Sequence, residues 1–280
     1  MELFRIRSLA EYDTYKKRND ASIQAHQQVL DSWRQSKPTE FKVPGYSYTA
    51  GKDVQFVVPK HFQFPNHVTV WRESLSCPIT GFNNRMRATF HLFDIEMEPN
   101  PDQKMYITEQ LTPVYRYFKE RFSKTVGSEF LADAVAPGAV DSRGLRNEDL
   151  RALSFEDESF DSVVSLDVLE HIPEYEDAFA ECFRVLKPGG RFMWSVPFIS
   201  VFHDNLIRAR IENGEIVHDH PPEYHGDPLS DDGVLCFQHF GWQMLDQMRS
   251  IGFRDAYAIT YQSKSFGYLG QDQLMFFARK

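Results

Sequence analysis

The feature that most constrains this chain is an alternation. From Lys104 onward, short apolar runs with β patterning are separated by stretches with helical patterning. Residues 104–109 read as a strand, 113–123 as a helix, 125–131 and 144–150 as strands, and 160–169 as a strand buried by its Val and Leu content. An amphipathic helix over 174–186 is stopped by the Pro188 and glycines of Lys-Pro-Gly-Gly, and a strand follows at 191–198. A helix over 240–253, ended by Gly252, and strands over 254–263 and 274–280 close the chain. Strands alternating with helices make βαβ units on a parallel sheet. The expected fold class is therefore α/β, a Rossmann-like, doubly wound and mostly parallel sheet. Such a sheet binds ligands at the carboxyl ends of its strands. Three acids fall at expected strand ends, each twenty residues after the last: Glu109, Glu129 and Asp149. Any one of them alone reads equally well as a helix N-cap.

The first 103 residues do not alternate in this way. A helix over 8–36 is expected, with Ser8 as N-cap and Glu11 at the capping-box position. A hairpin over 37–59 follows, then a turn at Thr80-Gly81 and a helix after Asn84. The expected division is an N-terminal cap or oligomerisation region at 1–103 and a core at 104–280, with a lid insertion at 199–240. The 280 residues carry a net charge of −9 and no long basic run, which argues against nucleic acid and anionic membranes as partners. No apolar run is long enough to span a bilayer, and the N-terminus lacks a signal-peptide core. Cys77, Cys182 and Cys236 are too widely spaced for a metal pair or a disulfide framework. Cys77-Pro-Ile-Thr-Gly looks like half a zinc knuckle, but Thr80 holds the partner position, which excludes structural zinc there. These features suggest a cytoplasmic protein with a small-molecule substrate, and a homodimer through the N-terminal region.

Between 148 and 198 the motifs become specific. Asp149 ends a strand, Leu153-Ser154-Phe155 follows, and Phe160-Asp161-Ser162-Val163 opens the next strand. Leu169-Glu170-His171 and then Arg184-Val185-Leu186-Lys187-Pro188-Gly189-Gly190 complete the block. In order and spacing this resembles the class I S-adenosyl-L-methionine (SAM) dependent methyltransferases of the type 11 kind. The resemblance implies SAM as cofactor. It places Glu129 on the ribose hydroxyls with Phe130 beside it, and Asp149 on the adenine amino group with the Leu150 backbone N–H. It places Asp167 near the methionine portion or the methyl group, and 168–171 on the pocket floor. His171 then either packs against the adenine or takes part in the chemistry. The resemblance also predicts an acid-x-Gly-x-Gly-x-Gly loop at 109–115. The sequence instead reads Glu109-Gln110-Leu111-Thr112-Pro113-Val114-Tyr115. Thr112 is expected as N-cap and Pro113 as first helical residue, so that the helix N-terminus still faces the methionine carboxylate.

The insertion at 199–240 is rich in histidine. A hairpin over 208–218 turns at Asn213-Gly214. His218, His220, Tyr224, His225 and Asp227 follow closely, flanked by His203-Asp204 and His239. Three readings stand open. The insertion is a polar lid; or it supplies a general base, with His225 in a tight turn first and His203, His218 and Tyr224 as further catalytic candidates; or His218, His220 and His225 bind a divalent metal. Arg85, Arg87 and Arg208 read either as solvated or as a clamp for a phosphate or carboxylate. The function expected is methyl transfer to an oxygen of a polar small molecule, with a sugar or phosphate group. The alternatives are a SAM-binding scaffold without turnover and a different SAM-dependent reaction.

Overall fold

The computed structural model describes residues 3–36, 40–59, 70–270 and 273–280. The lead-in to the expected hairpin, 37–39, lies outside these. The chain divides into two compact units, one of Ala10–Glu98 and Ala258–Met275 with the N-terminal strand, the other of Pro99–Tyr257 and Phe276–Lys280 with Arg7–Leu9. One break falls at Glu98–Pro99, against an expected division after residue 103. The return of 258–275 to the first unit is a departure, since 104–280 was expected to form one domain.

In the first unit, strand β1 (Leu3–Ile6) pairs antiparallel with residues 258–261, and helix α1 (Leu9–Ser36) begins directly after Ser8. Strands β2 (Phe41–Ser47) and β3 (Lys52–Val58) form the hairpin, and α2 (Asn84–Glu96) is capped by the Asn83 side chain, which accepts from Met86 N–H. Phe41, Val43, Phe56, Val58, Leu75 and Leu269 make the core. Arg87 lies fully within this unit. Its guanidinium donates to the carbonyls of Phe266, Leu75 and Gly267 and stacks 3.7 Å over the Phe56 ring. Burial lowers its pKa to about 10. The expectation that Arg87 clamps substrate is therefore corrected. Arg85 pairs with Glu73 at 3.0 Å and is also engaged.

The second unit carries the parallel sheet. Its strands are β4 (Met105–Ile107), β5 (Thr125–Gly127), β6 (Phe160–Leu166) and β7 (Leu186–Ser195), with α3 (Pro113–Arg121) and α4 (Tyr175–Val185) between them. Small antiparallel pairs occupy the insertion: β8 (Leu206–Ile207) with β13 (Gln238–His239), β9 (Ala209–Glu212) with β10 (Glu215–His218), and β11 (Tyr224–Asp227) with β12 (Ser230–Leu235). Helix α5 (Gln243–Ile251) ends at Gly252, followed by β14 (Asp255–Tyr261) and β15 (Leu274–Arg279). The order is β5-β4-β6-β7-β15, parallel except for β15, with β14 beyond it. The fold is α/β with a mostly parallel, Rossmann-like sheet. Among the described residues, no helix is long and apolar enough to cross a membrane.

Two departures within the sheet have local causes. Residues 144–150 form no strand, only two isolated bridges, a parallel one from Asn147 to Glu129 and an antiparallel one from Arg146 to Val140. Asp141 accepts from the N–H groups of Arg143 and Leu145, and Gly144 has φ +84°, so a turn occupies the space of a strand. Strand β7 begins at Leu186 rather than after the glycines. Phe160 pairs with Leu186 and Ser162 with Arg191, so Lys-Pro-Gly-Gly forms a bulge, with Gly189 at φ +79°.

Candidate active site

The glycine-less loop leaves β4 at Thr108 and enters α3 at Pro113. Thr112 is extended, and its hydroxyl accepts from Tyr115 N–H at 3.1 Å, with Pro113 in the first turn. This is the cap expected from the sequence. The roles of Glu129 and Gln110 were not foreseen. Glu129, just past the end of β5, accepts through Oε1 from the N–H groups of Gln110 at 2.7 Å and Leu111 at 2.9 Å. The Gln110 side chain donates to the Gly144 carbonyl at 2.8 Å and accepts from Arg146 N–H at 2.9 Å. The loop is thus braced from both sides by side chains. Close approach comes from a neighbouring strand instead. A Cβ at Gly127 would stand 2.5 Å from the Tyr115 ring and 2.6 Å from the Glu109 carbonyl oxygen. Gly127 therefore lets β5 and α3 meet where the family loop would have its glycines.

Glu129 fits the ribose role only in part. It is half-buried, and burial raises its pKa against the opposing pull of the two loop N–H groups. Oε1 is engaged by the loop, while Oε2 accepts no hydrogen bond among the described residues. An acid fixed through one oxygen at a strand's carboxyl end, with its second oxygen open, suits a diol. The methionine end fits less well. The N–H groups of Gln110, Leu111 and Tyr115 are all taken, by Glu129 and Thr112. Phe130 is 58% exposed at the site's edge.

Asp149 departs from its expected part. Its carboxylate holds the Arg151 guanidinium through both oxygens and accepts from Arg151 N–H. Arg151 continues to Glu174 at 2.7 Å. Burial raises the Asp149 pKa, but Arg151 outweighs it and holds the carboxyl below its usual range. Leu150 is buried. The neighbouring Glu148 is also buried and binds Arg146 and Ser154.

At the end of β6, Asp167 takes φ +53°, left-handed for a non-glycine residue. Its N–H donates to the Ser195 carbonyl, and its Oδ1 accepts from the Ser195 hydroxyl at 2.9 Å. The next turn contains the cluster that the sequence motif only outlined. Glu170 is fully buried, and neither carboxylate oxygen accepts a hydrogen bond among the described residues. His225 Nδ1 stands 3.4 Å from Glu170 Oε1, and His171 Nε2 stands 3.7 Å from it. On the far side of each ring, His225 Nε2 meets Glu223 at 3.1 Å, and His171 Nδ1 donates to the Leu235 carbonyl at 2.8 Å. Glu223 also receives His239 at 3.2 Å and Arg208 at 3.2 Å. Burial pushes the Glu170 carboxyl up to about 7, while Glu170 and then Glu223 raise His225 to about 9. Burial lowers His171.

His225 lies on strand β11 rather than in a tight turn, because residues 224–227 pair with β12 around a bulge. His218 and His220 are exposed, and neither belongs to a ligating group among the described residues. Strand β10 ends at His218, so His220 lies beyond it. His203 is exposed between Asp204 at 2.8 Å and Asp246 at 3.4 Å. Tyr224 is 59% exposed. Arg208 is held by Glu223 and by the Pro221 carbonyl, so its charge is already matched. The members missed by the sequence reading are Glu170 and Glu223, and the signal for Glu170 was its place beside His171 after β6.

Residues 113–194 match the family described as "Methyltransferase domain". A squalene methyltransferase 1 from Botryococcus braunii is 49% identical over 41 residues, 15% of this chain and 11% of that protein. A ubiquinone/menaquinone biosynthesis C-methyltransferase UbiE from Brucella canis is 37% identical over 60 residues, 21% of this chain and 22% of that protein. The chain thus spans well under two thirds of the length of these relatives. A solved S-adenosylmethionine dependent methyltransferase from Mesorhizobium loti is 19% identical, with a TM-score of 0.44, covering 70% of this chain and 96% of that one. The matched stretch, 113–194, lies within the second unit and includes α3, β5, β6, α4 and most of β7.

Proposed function

We propose that this chain transfers a methyl group from SAM to an oxygen of a polar small molecule. Bound SAM supplies an electrophilic methyl on a sulfonium, and the chain supplies position and proton acceptance. Glu129 Oε2 orients the ribose, and the rigid Asp167 backbone at the end of β6 sets the floor beneath the methyl. The observation that carries the oxygen acceptor is the Glu170–His225–Glu223 array beyond that floor, with Glu170 buried and His225 and Glu223 partly exposed. An oxygen nucleophile needs deprotonation, and His225 is the partly exposed imidazole of this array. The hydroxyl proton passes to His225, whose charge Glu170 and Glu223 stabilise. Because these acids hold His225 protonated up to about pH 9, kcat/KM rises as pH rises through that value.

A sugar or phosphate acceptor draws less support from the arginines, since Arg85 and Arg208 are paired within the chain and Arg87 is buried. The relatives include a C-methyltransferase by name, so the acceptor atom is the feature to test. Chelator-treated protein is given SAM with a labelled methyl and a library of hydroxylated, aminated and carbon-acid acceptors. Label in O-methyl product, with a rate reduced about 10²–10⁴-fold in His225→Gln, is expected. Label only in N- or C-methyl products, or an unchanged rate in that variant, contradicts the reading.

A further inference from the structure

The cluster beyond β6 has the construction of a metal centre. We propose that Glu170, His171 and His225 bind a divalent cation of the zinc class, with a fourth coordination position open. The inference does not depend on methyl transfer, and its test reads the metal alone.

Four observations carry it. The three ligating atoms, Glu170 Oε1, His171 Nε2 and His225 Nδ1, all lie within 4.8 Å of one another. Two of their separations are 3.4 and 3.7 Å. Zinc bonds of about 2.0–2.2 Å at tetrahedral angles place ligand atoms roughly 3.3–3.6 Å apart. Those two separations already match that spacing to within about a tenth of an ångström, and the two imidazole nitrogens lie within 4.8 Å of each other.

Each imidazole also has its outward nitrogen fixed by an acceptor. His171 Nδ1 donates to the Leu235 carbonyl at 2.8 Å, which leaves the Nε2 lone pair facing Glu170. His225 Nε2 meets the Glu223 carboxylate at 3.1 Å, which turns Nδ1 toward the same point. Carbonyl–histidine–metal and carboxylate–histidine–metal arrangements orient ligands in this way. Finally, the Glu170 carboxylate is fully buried, and among the described residues neither oxygen accepts a hydrogen bond. A His171 lone pair facing that carboxylate places two acceptors together, an arrangement a cation satisfies. Two nitrogens and one oxygen favour zinc-class ions over magnesium, which takes oxygen ligands. A proton and a cation compete for the same lone pairs, so the metal-loaded form replaces the proton on His225.

A neighbouring group, Glu223, Cys236 and His239, is a rival site. Its thiol is buried and donates to the Gln238 carbonyl at 3.4 Å, and burial raises its pKa to about 12, against coordination as thiolate.

The test uses the full chain stripped with chelator, then titrated with Zn²⁺, Mg²⁺ and Co²⁺ by calorimetry and visible absorption. One Zn²⁺ per chain, no saturable Mg²⁺ binding, and tetrahedral Co²⁺ bands without a thiolate charge-transfer band are expected. Glu170→Gln and His225→Gln, each checked for folding by circular dichroism, should abolish the site. Glu223→Ala should weaken it about 10–100-fold by releasing the outward nitrogen of His225. Cys236→Ser should leave it intact. No saturable Zn²⁺ binding by the wild-type chain overturns the proposal. So does binding that survives in folded Glu170→Gln and His225→Gln, or binding that is lost in Cys236→Ser.

Discussion

Replacing Glu129 separates two tasks that the structure gives to one carboxylate. Its Oε1 holds the Gln110 and Leu111 N–H groups at 2.7 and 2.9 Å, and its Oε2 is open toward the proposed ribose. In Glu129→Ala both N–H groups lose their acceptor. Leaving a buried donor unsatisfied costs about 1–3 kcal/mol. Gln110 is only half-buried, so water reaches the loop and recovers part of that cost. A net loss of about 1–2 kcal/mol is expected, which for a chain of this size lowers Tm by roughly 2–8 °C. Glu129→Gln keeps a side-chain oxygen for the loop and should cost less than about 1 kcal/mol. It nonetheless removes the charged acceptor from the ribose. Thermal unfolding with and without S-adenosylhomocysteine reads both effects. Glu129→Ala should lower the Tm of the free protein, and both variants should lose most of the ligand-induced rise. If Glu129→Ala unfolds at the wild-type temperature, Glu129 does not brace the loop. If Glu129→Gln keeps the full ligand-induced rise, Glu129 does not hold the ribose.

Two further outcomes follow from the same geometry. Gly127→Ala drives a methyl group into Tyr115 and the Glu109 carbonyl, and should cost about 1–3 kcal/mol in denaturant unfolding, as overpacked sites do; a cost near zero would mean that α3 shifts freely. In chelator-treated protein, the acids around His225 raise its pKa from 6.5 to about 9, so its charge stabilises the fold fully below about pH 6.5. That contribution fades as pH rises through about 9. His225→Gln should flatten the decline across this window, measured by denaturant unfolding at successive pH values, and an unchanged slope would show that the pairing is too solvated to matter.

Local chemistry was readable in the sequence where neighbours along the chain decide it. The Thr112 cap with Pro113 and the Asn213-Gly214 turn, with φ of +52° and +82°, needed no distant partner. The parallel strands were visible because their apolar runs are continuous. Residues 144–150 misled because Leu145 and Leu150 suggest a strand, whereas Asp141 and Gly144 close a turn first. Arg87 misled because a charged side chain is read as exposed, and the three carbonyls that bury it come from residues 75, 266 and 267. The brace on the loop escaped notice for a similar reason. Gln110 meets residues 34 and 36 positions away, and no periodicity encodes such a contact. His225 was singled out for its composition, but its environment depends on Glu170, 55 positions earlier on another element.

In the proposed function, a loop without glycines still forms a SAM site because Glu129, Gln110 and Gly127 hold it in place. Calorimetric titration of the folded wild-type chain with S-adenosylhomocysteine tests it most directly. The account predicts one saturable site per chain, weakened in Glu129→Gln. A folded chain that binds neither this ligand nor SAM would contradict it.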